Sequence, residues 1–193
     1  MSSIPLSDRL PRLRRALGEL GVEGFIQPRA DAHLGEYIPK AEERLAWLTG
    51  FTGSAGTVVV TAEHACLFVD GRYTVQGAAQ AADRYTVIHI ADQSRDAWLG
   101  EHIAAGQRIG IDPWTLADSD VQKLEQLVQD KGATLVLLDA NPIDPLWADR
   151  PAAPTSTVVP HPPVYAGRDS ADKRAAIADE LTAAGQDAVV LSQ

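Results

Sequence analysis

Short β-rich runs and helix-patterned stretches alternate along most of this chain, and that alternation restricts its fold more than any other feature. Gly24-Phe-Ile-Gln27 reads as a short buried strand. Thr57-Val-Val-Val-Thr61 and Ala65-Cys-Leu-Phe-Val69 are β-branched and aromatic runs separated by Ala-Glu-His, which is a hairpin signal. Thr86–Ile90, Arg108–Ile111 and Thr134–Leu138 read as further strands. Between them the residues from Arg72 to Ala82, Arg95 to Ala105 and Asp118 to Asp130 carry helical patterns. Leu6, Leu10, Leu13, Leu17 and Leu20 recur at spacings of four and three, one face of an amphipathic helix. Ser7 or Asp8 is expected to cap that helix, with Pro11 in its tolerant first turn and Gly21 at a left-handed exit. Strands alternating with helices give an α/β domain with a mixed β-sheet covered by helices on both faces.

The pattern breaks at Arg150-Pro-Ala-Ala-Pro-Thr-Ser-Thr-Val-Val-Pro-His-Pro-Pro163, where five prolines favour an extended, semi-rigid connector. It then restarts. Ile177–Gly185 reads as a helix ending in glycine and Asp187–Gln193 as a strand, echoing Leu13–Gly21 and Glu23–Gln27. The expected organisation is a domain over residues 1–150, a linker over 151–163 and the start of a second, similar domain over 164–193. A lone helix and strand cannot bury a core, so Gln193 is an implausible domain end and more sequence is expected to follow it.

Hydrophobic residues make up 45% and charged residues 22% of the 193, an ordinary globular composition that leaves room for one well-buried domain plus a remainder. No apolar stretch approaches the roughly 18–20 residues needed to span a bilayer. The first residues lack the basic and apolar regions of a secretory signal. The lone cysteine, Cys66, rules out an internal disulfide framework and suits a reducing compartment. A soluble cytoplasmic protein with no membrane partner is expected. With 17 basic against 26 acidic residues, the net charge of −9 argues against nucleic acid, whose phosphates call for a basic face.

Few constellations carry chemistry. His33, His64, His89, His102 and His161 show no recognisable metal-ligand spacing. Asp112, Asp118 and Asp120 could serve a hard cation, but a turn at Asp112-Pro113 and a helix cap at Asp118 or Ser119 account for them without one. Gly50, Gly53 and Gly56 precede a strand, the wrong order for a phosphate loop, and are read as a tight turn positioning Ser54 near the edge of the sheet. Cys66 sits among apolar neighbours and is expected to be buried and inert. Trp47, Trp98, Trp114 and Trp147 are expected to pack in the core or at a domain contact, with Trp147 the candidate for the contact. Asp70-Gly-Arg-Tyr73 stands where a strand gives way to a helix, a common place for functional groups in α/β folds. Arg72 offers a planar fork for a carboxylate or a peptide carbonyl; it could equally be taken up by Asp70 or Glu36. Tyr73, His33 and Glu36 are its expected neighbours.

Several motifs in one order carry a resemblance. They are Asp31-Ala-His-Leu-Gly-Glu-Tyr-Ile-Pro39, Arg44-Leu-Ala-Trp-Leu-Thr-Gly-Phe-Thr-Gly-Ser-Ala-Gly-Thr57, Val69-Asp-Gly-Arg-Tyr-Thr74, Ile109-Gly-Ile-Asp-Pro-Trp114 and Leu146-Trp-Ala-Asp-Arg-Pro151. Together they resemble the N-terminal domain of creatinase/prolidase-type proteins, and most of all the three-domain Xaa-Pro aminopeptidases. The resemblance implies a creatinase N-terminal fold with a ribonuclease H-like motif. It also implies an intact metallopeptidase that removes the N-terminal residue from peptides with proline in second position. The family's dinuclear metal site, typically manganese, is held by aspartates, a histidine and glutamates of a catalytic domain expected beyond Gln193. This chain would then hold no cofactor and no catalytic residue. It would shape the substrate cleft and take part in a homodimer, and Arg72 matches the family's peptide-binding arginine. Two alternatives stay open: a peptide- or protein-binding module without turnover, and another enzyme of the broader family, such as a prolidase or creatinase.

Overall fold

The computed structural model describes residues 4–191 and divides into two units, Met1–Ala153 and Pro154–Gln193. The first unit opens with α1 (Leu6–Glu19) and β1 (Gly24–Pro28). A short helix α2 (Arg44–Thr49) leads to the hairpin of β2 (Thr57–Thr61) and β3 (Ala65–Val69). Then come α3 (Thr74–Ala81), β4 (Thr86–His89), α4 (Arg95–His102), β5 (Arg108–Ile111), α5 (Asp118–Asp130) and β6 (Thr134–Leu137). The strands form one mixed sheet in the order β4-β3-β2-β1-β5-β6. β2 pairs antiparallel with both β1 and β3, whereas β3–β4, β1–β5 and β5–β6 are parallel. Five strands therefore point the same way, and only β2 runs against them.

Alternation along the inner strands builds two cores. Phe25, Val58, Val60, Leu67 and Val69 face one side and pack with Leu10, Leu13 and Leu17 of α1 and Leu45 and Leu48 of α2. Ile26, Val59, Cys66 and Phe68 face the other side, against Trp98 and Leu99 of α4 and Leu124 and Val128 of α5. Successive side chains of a strand point to opposite faces, so a run apolar at every position can be buried only when both faces are covered. Edge strands β4 and β6 are correspondingly less buried.

Several local expectations change in the structure. The N-cap of α1 is Pro5, with no side-chain hydrogen bond; Ser7 and Asp8 already lie inside the helix, and Ser7 Oγ donates to Asp8 instead. Pro11 also stands inside α1 rather than in its first turn, on the exposed side, where its missing N–H leaves a carbonyl facing water. Gly21 does take the left-handed exit, at φ 67°. α5 begins after Ala117 with no side-chain cap, so neither Asp118 nor Ser119 fills that role. Trp47 and Trp98 are buried, whereas Trp114 is 70% exposed. Trp147 stacks on Trp47 within this same unit, at 5.7 Å between ring centroids.

The end of the first unit is clipped down by charge. Arg44, 6% exposed, holds both oxygens of Asp144, with Nε–Oδ1 at 2.6 Å and Nη2–Oδ2 at 2.9 Å, and also bonds Glu42. Arg150 bonds the same two acids, Glu42 at 2.9 Å and Asp144 at 2.7 Å, and donates to the Ala41 carbonyl at 2.7 Å. Burial works against the charge of Arg44, but its bonds to Asp144 and Glu42 outweigh that and raise its pKa.

In the second unit α6 (Pro163–Ala166) precedes α7 (Ser170–Ala183), whose N-cap Asp169 accepts from the Ala171 N–H at 2.8 Å. The helix starts well before Ile177, and Gly185 exits at φ 65°. Residues 187–191 form no strand, and the last two positions of the expected strand, Ser192 and Gln193, lie outside the described residues. A strand needs a hydrogen-bonded neighbour, and the described residues of this unit offer none. No residue described in this unit is buried. Among the described residues, no helix of either unit is long and apolar enough to cross a membrane.

Two stability predictions follow from the first unit. Asp144→Ala leaves Arg44 buried with half its partners and should cost about 2–3 kcal/mol, less than a fully enclosed pair because Asp144 retains some water contact; urea denaturation measures it. Burial pushes the Cys66 thiol from 9.0 up to about 11, so the native state keeps a proton that the unfolded chain releases. Stability should therefore fall as pH rises from about 9 to 11, and Cys66→Ala should flatten that part of the profile in denaturation curves taken across it.

Candidate functional site

Because five strands share a direction, the loops that leave their carboxyl ends gather at one edge of the sheet, where open α/β sheets present ligands. Asp70-Gly-Arg-Tyr73 leaves β3 at that edge, the 31–39 loop leaves β1, and the glycine-rich turn over 50–56 enters β2 from the same end.

Asp70 and Arg72 form a closed pair. The Asp70 carboxylate accepts from the Arg72 backbone N–H at 2.8 Å, from Nε at 3.1 and 3.2 Å, and from Nη2 at 2.7 Å. Those bonds raise the Arg72 pKa, and the same arginine holds the Asp70 carboxyl below the usual carboxylate range. Of the two partners open from sequence, Asp70 takes the bonds; Glu36 adds only charge attraction. The Arg72 side chain is still 65% exposed, and among the described residues its Nη1 makes no hydrogen bond.

The guanidinium lies 5.1 Å from the centroid of the Tyr73 ring, a cation–π contact. The ring is fixed from two sides. Phe51 meets it edge-on at 5.7 Å, and its hydroxyl shares a 2.6 Å hydrogen bond with Ser54 Oγ, which lowers the Tyr73 pKa. The glycine turn therefore places Ser54 against Tyr73, at the mouth of an interior strand. Gly53 is required there, since a Cβ would sit 2.2 Å from the Phe51 ring. Arg29 ties the neighbouring loops together: Nη1 donates to the carbonyls of Glu36 and Ser54, both at 3.0 Å, and Nη2 to Glu43 at 3.0 Å. Asp31, buried at the start of its loop, accepts from the N–H groups of His33 and Gly35, both at 3.0 Å. The side chains of His33 and Glu36 are exposed. A cleft of about 300 Å³ opens beside Asp70, lined in part by Gly56, Phe68, Ile90 and Arg95.

A second polar feature escaped the sequence reading. Asn141 Nδ2 donates to Gln27 Oε1 at 2.7 Å and to Asp112 Oδ2 at 2.9 Å, all three side chains being buried. Asn141 Oδ1 accepts from the Ile143 N–H at 3.1 Å, and Asp112 Oδ1 from the Trp114 N–H at 3.1 Å. Every carboxylate oxygen of Asp112 is thereby spent on structure. A glutamine inside an otherwise apolar strand was the one local signal for this network.

The other sequence candidates do not gather. Asp118 accepts from Gln122 at 2.7 Å and Asp120 lies 3.8 Å from Lys123. His64 and His102 pack edge to face at 5.2 Å, with His102 stacked on Trp98 at 4.0 Å. His89 lies 3.8 Å from Asp92, and His161 packs near Tyr165 in the second unit. Among the described residues no three of His, Cys, Asp and Glu converge as a metal ligand set, so the dinuclear metal site of the resembled family does not fit these side chains. What the arrangement does offer is a solvent-facing guanidinium held in one orientation by Asp70 and Tyr73.

Comparison with known proteins agrees over nearly the whole chain. Residues 9–144 match the creatinase/prolidase N-terminal domain. Aminopeptidase P2 of Arabidopsis thaliana is 33% identical over 99% of this chain, which covers 28% of that protein. A probable Xaa-Pro aminopeptidase P of Talaromyces marneffei is 34% identical over 94% of this chain and is covered for 28% of its length. The crystal structure of an X-prolyl aminopeptidase from Caenorhabditis elegans, described as a cytosolic enzyme with a di-nuclear active site, superposes with a TM-score of 0.85 at 26% identity. That match covers 94% of this chain and 32% of the nematode chain. The chain thus spans about a third or less of the length of these relatives. With its sheet, its motifs and its match over residues 9–144 all in accord, the chain belongs to the creatinase/prolidase N-terminal domain family.

Proposed function

We propose that this chain is the non-catalytic N-terminal part of a Xaa-Pro aminopeptidase, an enzyme that releases the first residue of peptides with proline in second position. The observation that carries this reading is identity of 33–34% over nearly all of the chain with aminopeptidase P proteins, joined to a TM-score of 0.85 against an X-prolyl aminopeptidase. In this reading residues 1–150 form the recognition domain, 151–163 the linker and 164–193 the opening of a second domain of similar kind. Hydrolysis belongs to a catalytic domain further along the protein, where two divalent metals, manganese by resemblance, activate the attacking water. The intact enzyme is cytoplasmic and a homodimer.

Arg72 is the residue of this chain that touches substrate. Its role is binding: the guanidinium donates to an oxygen of the peptide while Asp70 and Tyr73 hold it in place. A charge-assisted hydrogen bond is among the stronger contacts a side chain offers, and the water around the exposed Arg72 weakens it. In the intact enzyme Arg72→Ala should therefore raise KM for a Xaa-Pro tripeptide about tenfold and leave kcat nearly unchanged, the pattern of lost binding that is equal in ground and transition states. Steady-state kinetics on the two forms decide it; an unchanged KM removes Arg72 from the site. The 193-residue chain by itself should neither hydrolyse such peptides nor bind manganese stoichiometrically. Turnover by the pure chain, or one tightly held manganese per chain in equilibrium dialysis, contradicts the assignment.

A further inference from the structure

We infer that Asp70 sets the charge Arg72 presents, so that this site takes a neutral peptide carbonyl in preference to a free carboxylate. The inference rests on the reading of Arg72 as a substrate contact and goes beyond it, because a bare arginine fork suits a carboxylate at least as well as a carbonyl.

The geometry decides between them. Asp70 occupies the Nε–Nη2 side of the guanidinium, with Nε at 3.1 and 3.2 Å and Nη2 at 2.7 Å from its oxygens. That leaves Nη1 and the outer hydrogen of Nη2 for a ligand. The carboxylate cannot easily swing away, since the Arg72 backbone N–H also holds Oδ1 at 2.8 Å. Both partners lie within three residues of one turn, so holding them together costs little chain entropy. The free edge therefore belongs to a neutral ion pair. Glu36 adds a second negative charge to the field at Arg72. An incoming carboxylate meets the charge of Asp70 as well as the donors, whereas a carbonyl oxygen meets the donors alone. Tyr73 holds the guanidinium from its face, with its own hydroxyl bonded to Ser54. Asp70 is thus a positioning residue with a consequence for specificity: substrates that continue past proline are favoured over those that end there.

The test compares alanyl-proline with alanyl-prolinamide, which differ only in a carboxylate against an amide at the group after proline. In the intact enzyme Asp70→Asn should shift the kcat/KM ratio toward the free acid by about fivefold, the size of an exposed ion-pair interaction. Glu36→Gln should shift it the same way by less. Arg72→Ala on the amide checks the underlying reading separately. If it has no effect, Arg72 is not a substrate contact; if it weakens binding while Asp70→Asn leaves the ratio unchanged, the charge inference alone is overturned. The 193-residue chain gives an independent readout through the Arg72 Nε–Hε resonance of a 15N-labelled sample. Wild type should respond to sodium acetate no more than to sodium chloride at equal ionic strength, and Asp70→Asn should gain a saturable acetate response. A saturable response in wild type overturns the inference. A flat response in a folded Asp70→Asn does so as well.

Discussion

Strand β2 runs against the other five strands of the sheet, and the placement of every loop of the candidate site depends on that reversal. β2 closes antiparallel hydrogen bonds with β1 on one side and β3 on the other, so those two strands are left pointing the same way. The parallel pairings then carry the direction out to β4, β5 and β6. Apolar residues at successive positions of the inner strands lock the register, because a slip of one residue would exchange the two buried faces. Phe25 would then leave the helix α1 side and Ile26 the α4–α5 side. With the register fixed, the turns carrying Asp70, Ser54 and the 31–39 loop have one edge of the sheet in common.

That edge is held by polar contacts at two depths. Beneath it, Gln27, Asn141 and Asp112 satisfy one another in the interior, where a partly satisfied group would be costly. Above it, Arg29 joins the carbonyls of Glu36 and Ser54, and Ser54 in turn steadies the Tyr73 ring under Arg72. The clip of Arg44, Asp144, Arg150 and Glu42 seals the last segment of the unit against α2. An arginine mostly in water is thus presented by a frame that fixes its position, the kind of pre-organisation that lowers the ordering cost of the proposed peptide contact.

The sequence was legible where information is local. All six strands of the first unit stand where their apolar runs placed them, and α5 spans Asp118–Asp130 as its pattern implied. Helix α2 escaped because six residues are too few to display a period, although its exit at Gly50 with φ 79° was readable as a turn. The expected caps failed where a cap was assigned to the nearest polar residue: Pro5 and Ala117 precede α1 and α5 without any side-chain bond. The expected strand after Gly185 failed for a different reason, since its apolar residues have no neighbouring strand among the described residues. Contacts across the sequence were beyond such a reading: Gln27 and Asn141 are 114 residues apart, and Arg44 and Asp144 are 100 apart. For Arg72, sequence narrowed the partner to Asp70 or Glu36, and only geometry chose Asp70.

The claim at the centre of this account is that Arg72, framed by Asp70 and Tyr73, reaches a bound peptide. A crystal structure of the intact protein with a Xaa-Pro peptide or product in its cleft measures this directly. The account predicts an Arg72 guanidinium nitrogen within about 2.7–3.2 Å of a peptide oxygen, in the same subunit or its partner. A guanidinium that stays several ångströms from the peptide, still paired only with Asp70, would contradict it.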